Sequence, residues 1–369
     1  MSNDDDRASQ RPDEAVVRGE TSARERFHAR EIAQVLSHYD IGVINEIREY
    51  RRGSRRAAKL KIATEHGEYL LKRRARGRSV DRDRERAAAG HAVQARAAAG
   101  GVPVAQLIAM KSGGTLLQST DRLYELHAWL PGVRYARHAE QARAAGIVLS
   151  RMHAAFRDLV LLEELPQGGF SDFDGVRAAL RVAHERAVDR TPSSAQARLQ
   201  TTIDLISAHM DRIENKLVNK GLPMQRTAIC HGDFHPGNTL WAADSLIAVI
   251  DFDSVRSESV AAELANAMLQ FSVKHRVGED PLKWQIGLVS ENLRGFAEGY
   301  RAANPSETRA VAALIPWLML SAIVAEAASP IAREGDFAGI PAEPFLHATV
   351  AMMDWISERT RAISSVLET

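Results

Sequence analysis

The chain has 369 residues, of which 45% are hydrophobic and 26% are charged, so it can bury a large core and is expected to divide into two lobes. The formal net charge of only +1 argues against a general nucleic-acid binder, and the single cysteine, Cys230, excludes an internal disulfide framework and a cysteine-based metal site. The charge is uneven, with 24 basic and 18 acidic side chains in residues 1–130 against 24 and 29 in residues 131–369.

The N-terminal residues give no indication of export. Residues 1 to about 22 are rich in Asp, Arg, Ser, Gln and Pro without apolar periodicity, and we predict a disordered tail. They lack the basic-then-apolar order of a secretory signal, so a cytoplasmic protein is expected. The longest apolar run, Ala310 to Ala325, has sixteen residues, fewer than the roughly 20 of a membrane span, and its Pro316 predicts a buried, kinked core helix.

A β-rich section follows a short helix predicted from Arg24 to Ser37. Alternating apolar and polar residues predict three strands, at Gly42–Tyr50, Ala57–Thr64 and Tyr69–Lys72. Glycine-containing turns at Gly53-Ser54 and Gly67 separate them, so the section is predicted to be an antiparallel meander.

A charged segment comes next. Basic residues are dense from Lys72 to Arg86, but acidic residues interrupt them and no aromatic residue is interleaved for base stacking, so we interpret the segment as a solvated surface. A helix is predicted from Val80 to Ala99. Two more strands are predicted from Gly114 to Gln118 and from Arg122 to Trp129.

The pattern changes at Pro131-Gly132, where alternation stops and helical periodicity begins. This predicts a boundary near residue 130, with a first lobe of residues 23–130 and a second of residues 131–369. Helices are predicted for Asp172–Asp189 and Ser193–Lys220, with three or four more in the last hundred residues. A first long helix is predicted after Ala136, and His153, near its apolar stripe, is predicted to be a packing histidine.

Residues 228–253 form a polar loop between apolar, strand-like segments. The loop is His231-Gly-Asp-Phe-His-Pro-Gly-Asn238, and Ile250-Asp-Phe-Asp253 follows the second apolar run. Asp233, Asn238 and Asp251 can thereby bring together two carboxylates and an amide oxygen. These side chains can supply a base for a hydroxyl group and oxygen ligands for magnesium. Phosphoryl transfer requires such groups.

These two loops, preceded by Lys72 at a strand end, resemble the catalytic and metal loops of the aminoglycoside phosphotransferase and choline kinase-like family. The resemblance covers roughly residues 24 to 300. It implies the α+β class and a bilobal protein-kinase-like fold, with a small antiparallel β N-lobe and a larger, mostly helical C-lobe. It also implies a small-molecule kinase that uses ATP and Mg²⁺ to phosphorylate a hydroxyl group.

The resemblance assigns roles in the second lobe. Asp233 becomes the catalytic base, and Asn238 and Asp251 become magnesium ligands. His231 belongs to the catalytic loop and is expected to lock it, whereas His235 is expected to pack beside Pro236. Two further acidic residues receive supporting roles: Glu263 as a brace of the catalytic loop and Asp253 as support for the metal site.

In the first lobe, the resemblance assigns Lys72 to the α and β phosphates of the nucleotide. Gly53 and Ser54 could present backbone N–H groups to phosphate, although such a pair is usually only a turn. The linker residues His127, Ala128 and Trp129 would bond to the adenine edge through their backbone.

The partner that orients Lys72 is left open between two residues of the Val80–Ala99 helix. Glu85 is its only glutamate and is favoured, but the position expected from the following turn lies nearer His91. Six residues separate the two, so they do not share one helix face.

Two other functions remain as alternatives. A metal-dependent hydrolase would use His231, Asp233 and His235 as mixed nitrogen and oxygen ligands, and a non-catalytic nucleotide-binding regulator would fit the incomplete glycine loop. The favoured partners are a nucleotide and a small-molecule acceptor such as an amino alcohol, a sugar or an aminoglycoside, without nucleic acid or membrane. The oligomeric state is left open.

Overall fold

The computed structural model describes most of the chain. The described ranges are residues 26–50, 57–77, 79–222, 225, 227–274, 279–303 and 305–368. The tail predicted for residues 1–22 and the turn predicted at Gly53 and Ser54 lie outside these ranges.

The N-terminal lobe is built on a five-stranded antiparallel sheet. Its strands are β1 (Ile44–Glu49), β2 (Lys59–Thr64), β3 (Gly67–Arg73), β4 (Leu116–Ser119) and β5 (Arg122–Ala128), in the spatial order β1-β2-β3-β5-β4. Helix α1 (Ala29–Leu36) precedes β1, and helix α2 (Val80–Ala99) connects β3 to β4. The predicted meander, the later strand pair and both helices are confirmed.

One face of this sheet packs on an apolar core, and the other face carries charged side chains. Leu71 is completely buried in a small apolar core against α1, together with Leu60 and Ile62 of β2. Successive residues of a strand point to opposite faces, so Lys72 leaves that core and faces the other way. Lys59 lies directly opposite Lys72 in the register of β2 and β3, which puts two lysines on the second face.

The second lobe is mostly helical. Its helices are α3 (Ala139–Phe156), α4 (Phe173–Val188), α5 (Ser193–Asn219), α6 (Val260–Gln270), α7 (Ser290–Arg301), α8 (Pro305–Val311), α9 (Ile315–Glu334), α10 (Ala342–Ser357) and α11 (Thr360–Glu368). They enclose one large hydrophobic core. The molecule thus has the α+β class that the sequence predicted.

Short strand pairs interrupt the helices. Strands β6 (Thr227–Cys230), β7 (Thr239–Ala242), β8 (Ser245–Val249) and β9 (Arg256–Ser259) form the antiparallel pairs β6–β9 and β7–β8. A smaller hairpin, β10 (Asp336–Phe337) with β11 (Ile340–Pro341), precedes α10. The polar motif lies in the loops that connect β6 to β7 and β8 to β9.

Helix α9 differs from its prediction. It begins at Ile315 and not near Ala310, and Pro316 lies in its first turn, where a missing N–H costs nothing. Pro316 therefore starts the helix and does not kink it. By length and composition α9 is the one helix in the described ranges able to cross a membrane, but 67% of its apolar window is buried within the protein.

The C-terminal region also has more helices than predicted. Five helices, α7–α11, follow residue 270 in the described part of the chain, where three or four were expected. The last predicted apolar face is divided between α10 and α11 but is buried as expected, at Leu346, Val350, Met353, Ile356, Ile363 and Leu367. The break at Glu358–Arg359 lies between these buried groups.

Candidate active site

Two loops of the polar motif lie side by side. The first loop, residues 231–238, connects β6 to β7, and the second loop, residues 250–255, connects β8 to β9. The Ile250 N–H donates to the Asn238 carbonyl oxygen at 3.0 Å and joins the end of the first loop to the start of the second. The pairing of Thr239 with Val249 continues this contact into β7 and β8. Asn238 and Asp251 are consequently close neighbours across the hairpin.

Asp233 is held in place but remains accessible, with 35% of its side chain exposed. The amide nitrogen of Asn238 donates to the Oδ2 atom and to the carbonyl oxygen of Asp233, both at 2.9 Å. His235 does more than pack beside Pro236: its Nδ1 accepts the Gly237 N–H at 3.0 Å, and its Nε2 lies 3.6 Å from the Oδ1 atom of Asp233. A fixed, accessible carboxylate suits a base that receives a substrate proton.

His231 is fully buried and bonds to the backbone through both ring nitrogens. Its Nδ1 accepts the Asp233 N–H at 3.3 Å, and its Nε2 lies 3.2 Å from the Ile250 carbonyl oxygen. Burial lowers the pKa of His231, so these partners define a neutral ring with its proton on Nε2. The ring ties the two loops together and has no nitrogen left for a metal, which argues against a hydrolase built on His231, Asp233 and His235.

Gly232 allows the first loop to turn tightly against a buried carboxylate. Its φ is +76°, and a Cβ atom there would lie 2.2 Å from the Ser254 carbonyl oxygen, so a side chain is excluded. Its N–H donates to the Oε1 atom of Glu263 at 2.6 Å. The Oε2 atom of Glu263 lies 2.7 Å from His153 Nε2, and His153 Nδ1 lies 2.8 Å from the Tyr300 hydroxyl. Glu263 thus contacts the loop it was expected to brace, and His153 is a hydrogen-bonded packing residue.

Asp251, the second residue of the second loop, has a left-handed backbone conformation, with φ 67° and ψ 65°. Burial acts to raise its pKa, but the charges of Lys72 and Lys59 outweigh burial and lower the pKa of Asp251 to about 2. Asn238 uses only its amide nitrogen in the side-chain bonds of the described chain, which leaves its amide oxygen for another ligand. An ionised carboxylate beside an amide oxygen is a hard donor set, and it fits a divalent cation such as magnesium.

Lys72 is 6% exposed at the end of β3. Three carboxylate oxygens surround its Nζ: Glu125 Oε1 at 3.1 Å, Asp251 Oδ1 at 3.2 Å and Asp253 Oδ2 at 2.8 Å. Arg74 extends the cluster, because its Nη1 lies 2.7 Å from Glu125 and 2.8 Å from Asp253. Burial acts to lower the pKa of Lys72, but the three carboxylates outweigh it and raise the pKa, so the lysine stays cationic.

The prediction that Glu85 orients Lys72 is wrong in this structure. Glu85 is exposed on α2, and none of the ion pairs of Lys72 among the described residues involves it. The nearest carboxylate on the lysine's own sheet is Glu125 of β5. His91, the alternative, contacts that carboxylate and not the lysine, with Nε2 2.9 Å from Glu125 Oε2.

Part of the linker backbone is already hydrogen-bonded within the protein. The N–H of Ala128 donates to the Gln106 carbonyl oxygen at 2.8 Å, and that of Trp129 donates to the backbone carbonyl oxygen of Glu68 at 2.9 Å. These two N–H groups are used within the protein, so an adenine edge would need an N–H donor elsewhere in the linker. The linker side chains point to the sheet: His127 Nε2 lies 3.3 Å from Glu125 Oε1, and Trp129 packs edge-to-face on Tyr50 at 5.1 Å.

Sequence reasoning missed three residues of this site. Glu125 lies in β5 and Arg74 directly follows β3, and the alternation in these strands identified the core but not the charged face. Only the strand register of the folded sheet identifies them, since Lys72 lies directly opposite Glu125 and two residues before Arg74. Arg256 donates to the Gly232 carbonyl oxygen at 2.8 Å and to the Ser254 carbonyl oxygen at 3.1 Å, and no local pattern indicated this contact.

The chain belongs to the phosphotransferase enzyme family, because the model of that family matches residues 46–311, well over half of the sequence. It is accordingly an enzyme of the small-molecule kinase class. A curated relative, the homoserine kinase of Xanthobacter autotrophicus, is 26% identical over 296 residues, which cover 78% of this chain and 86% of that protein.

Two solved structures are similar in fold. The choline kinase from Cryptosporidium parvum has a TM-score of 0.63 at 11% identity, over 92% of this chain and 98% of that one. The amicoumacin kinase hAmiN, in complex with AMP-PNP, Ca²⁺ and Ami, has a TM-score of 0.60 at 14% identity, over 91% of this chain and 94% of that one. The bilobal protein-kinase-like fold is therefore confirmed.

Proposed function

We propose that the protein transfers the γ-phosphoryl group of ATP to a hydroxyl group of a small molecule, with Asp233 as the base. The observation that supports this most is the position of Asp251, which neighbours Asn238 across the hairpin and lies 3.2 Å from the Nζ of Lys72. This arrangement brings an oxygen-only metal site and a phosphate-binding cation to one place. The AMP-PNP and Ca²⁺ in the amicoumacin kinase structure support a nucleotide and a divalent cation in this fold.

Each group has one task in the proposed reaction. A new bond forms between the acceptor oxygen and the γ phosphorus, the bond to the β,γ-bridging oxygen breaks, and ADP leaves. Asp233 orients the acceptor hydroxyl and receives its proton, and Lys72 pairs with the α and β phosphates. Asn238 and Asp251 would hold Mg²⁺, which neutralises phosphate charge when it is bound.

We take homoserine as the first acceptor to test, because a homoserine kinase is a relative whose similarity covers 78% of this chain. Its ammonium group would also suit the acidic second part of the chain, where 29 acidic side chains exceed 24 basic ones. Other amino alcohols, sugars and aminoglycosides complete the panel. Choline is a weaker candidate, because a quaternary ammonium group calls for an aromatic cage and the chain is only 6% aromatic.

The decisive experiment measures ADP release across this panel for the wild type and for Asp233→Asn. We expect turnover of the variant to fall by about 10²- to 10⁴-fold, because a positioned base is lost. Its ATP dissociation constant should stay within about threefold, since the nucleotide contacts lie elsewhere. Asp244→Asn, an exposed substitution of the same type in the β7–β8 turn, is the matched control. Undiminished turnover in Asp233→Asn would contradict the assignment.

A further inference from the structure

Glu125 is a buried carboxylate at the centre of the lysine cluster. It is 2% exposed and lies in the middle of β5, where an unpaired charge would be costly. Both oxygens are used: Oε1 lies 3.1 Å from Lys72, and Oε2 lies 2.7 Å from Arg74 and 2.9 Å from His91. Lys72 and Glu125 are also direct partners in the antiparallel register of β3 and β5, so the sheet itself fixes their separation.

The other two carboxylates on Lys72 have a different position. Asp251 and Asp253 belong to the second loop, outside the sheet that holds the lysine, and more than a third of each side chain is exposed. In the proposed reaction Asp251 holds the metal. Glu125 is therefore the carboxylate that the sheet itself holds in a fixed geometry toward Lys72.

Helix α2 reaches the lysine cluster through a histidine. His91 contacts Glu125 through Nε2 and the Thr115 hydroxyl through Nδ1, at 2.9 and 2.8 Å. One residue earlier, Gly90 brings the helix against the second loop, since a Cβ atom there would lie 2.6 Å from the Phe252 carbonyl oxygen. The helix face that packs on the site is thus the face of Gly90 and His91, and Glu85 is exposed.

We propose that Glu125 on β5, secured by His91 of α2, is the positioning residue that aims Lys72 at the nucleotide phosphates. The inference rests on the proposed ATP-dependent function and specifies how its nucleotide site is ordered. The carboxylate that orients Lys72 therefore comes from the sheet. Helix α2 acts on the lysine indirectly, because it holds Glu125 through His91. Removing that carboxylate would keep the charge of Lys72 but would lose the orientation of its side chain toward the phosphates.

The test compares Glu125→Gln with Glu85→Gln in steady-state kinetics and calorimetric ATP titration. For Glu125→Gln we expect kcat/KM for ATP to fall about 10- to 100-fold, as for a small misplacement of a catalytic group. The acceptor KM should stay within about twofold, whereas Glu85→Gln should match the wild type in both parameters. If Glu125 only balanced charge, its neutralisation would instead tighten ATP binding, and that result would overturn the proposal.

Two further variants separate positioning from folding. His91→Leu should weaken kcat/KM for ATP about 3- to 10-fold, as for a lost hydrogen bond to a charged group, and His91→Gln should recover most of that loss. A purely structural role would lower the active fraction, and so kcat, without changing the KM for ATP. Should Glu125→Gln fail to fold, the pair of His91 variants decides: no ATP-specific loss in His91→Leu overturns the proposal.

The outcomes also distinguish this inference from the proposed function. A wild type that turns over ATP while Glu125→Gln is unaffected refutes the positioning role alone. A wild type that neither binds nor consumes ATP refutes both.

Discussion

Glu326 of α9 is a second carboxylate that interacts electrostatically with Asp233. Its Oε1 accepts the amide N–H of Asn266 at 3.3 Å. Burial and the negative charge of Asp233 raise the pKa of Glu326 to about 7, against the opposing effects of His235, Asn266 and Arg256. A carboxylate that becomes charged near neutral pH is suited to the ammonium group of an amino-alcohol acceptor.

We predict that Glu326→Gln raises the KM for such an acceptor about 10-fold at pH 8, the loss expected for one charge-assisted hydrogen bond. The KM for ATP should stay unchanged. At pH 6, below the raised pKa, the wild-type carboxyl is mostly protonated, so the difference between the two proteins should shrink. Glu298→Gln, on the exposed side of α7, serves as the control. Equal acceptor KM values at pH 8 would exclude Glu326 from acceptor binding.

At the scale of elements, helices α3 and α7 pack through glycines with almost no space between their backbones. A Cβ atom on Gly146 of α3 would lie 2.2 Å from the Phe296 carbonyl oxygen, and one on Gly299 of α7 would lie 2.1 Å from the Arg143 carbonyl oxygen. The contact places Tyr300 beside His153, from which the hydrogen bonds continue to the first loop. The distance between α3 and α7 therefore affects the hydrogen bonds that lead to the first loop of the site.

We predict that Gly146→Ala destabilises the protein by about 1–3 kcal/mol through overpacking. Alanine is the better helix former by about 1 kcal/mol, so propensity alone predicts the opposite sign. Ala154→Gly at an exposed position of α3 is the matched control and should cost only the propensity difference. Urea denaturation of the two variants decides, and a Gly146→Ala protein more stable than the wild type would contradict the close-packing argument.

At the scale of the whole molecule, the candidate site joins the two lobes. The sheet contributes Lys72 and Glu125, and the second lobe contributes Asp233, Asn238 and Asp251. A metal–nucleotide complex would contact both sets at once. Its binding should therefore stabilise the entire fold.

We predict that ATP with Mg²⁺ at 100 times its dissociation constant stabilises the protein by about 2.7 kcal/mol, which raises Tm by several degrees. Chelation of the metal should remove most of the shift. Asp251→Asn should abolish its metal-dependent part, whereas Asp244→Asn should keep it. Scanning calorimetry with and without EDTA measures this, and a shift indifferent to both EDTA and Asp251→Asn would argue against the assigned metal ligands.

The sequence determined the elements and the polar motif. Alternation and helical spacing are local properties, so they located all five strands of the N-terminal sheet and helix α2 from Val80 to Ala99. The same local order brought Asp233, Asn238 and Asp251 into two adjoining loops, because a short hairpin must return near its start. The lobe boundary near residue 130 and the cytoplasmic location stay predictions.

The tertiary structure decided which residues complete the site. Glu125 lies 53 residues after Lys72 in sequence but opposite it in the sheet, and strand pairing between β3 and β5 is not encoded in either strand alone. The sequence pointed to Glu85 because helix α2 offered one glutamate, whereas packing turned His91 and Gly90 toward the cluster. Local patterns give the period of an element, but the rotation of a helix about its axis is set by contacts distant in the chain.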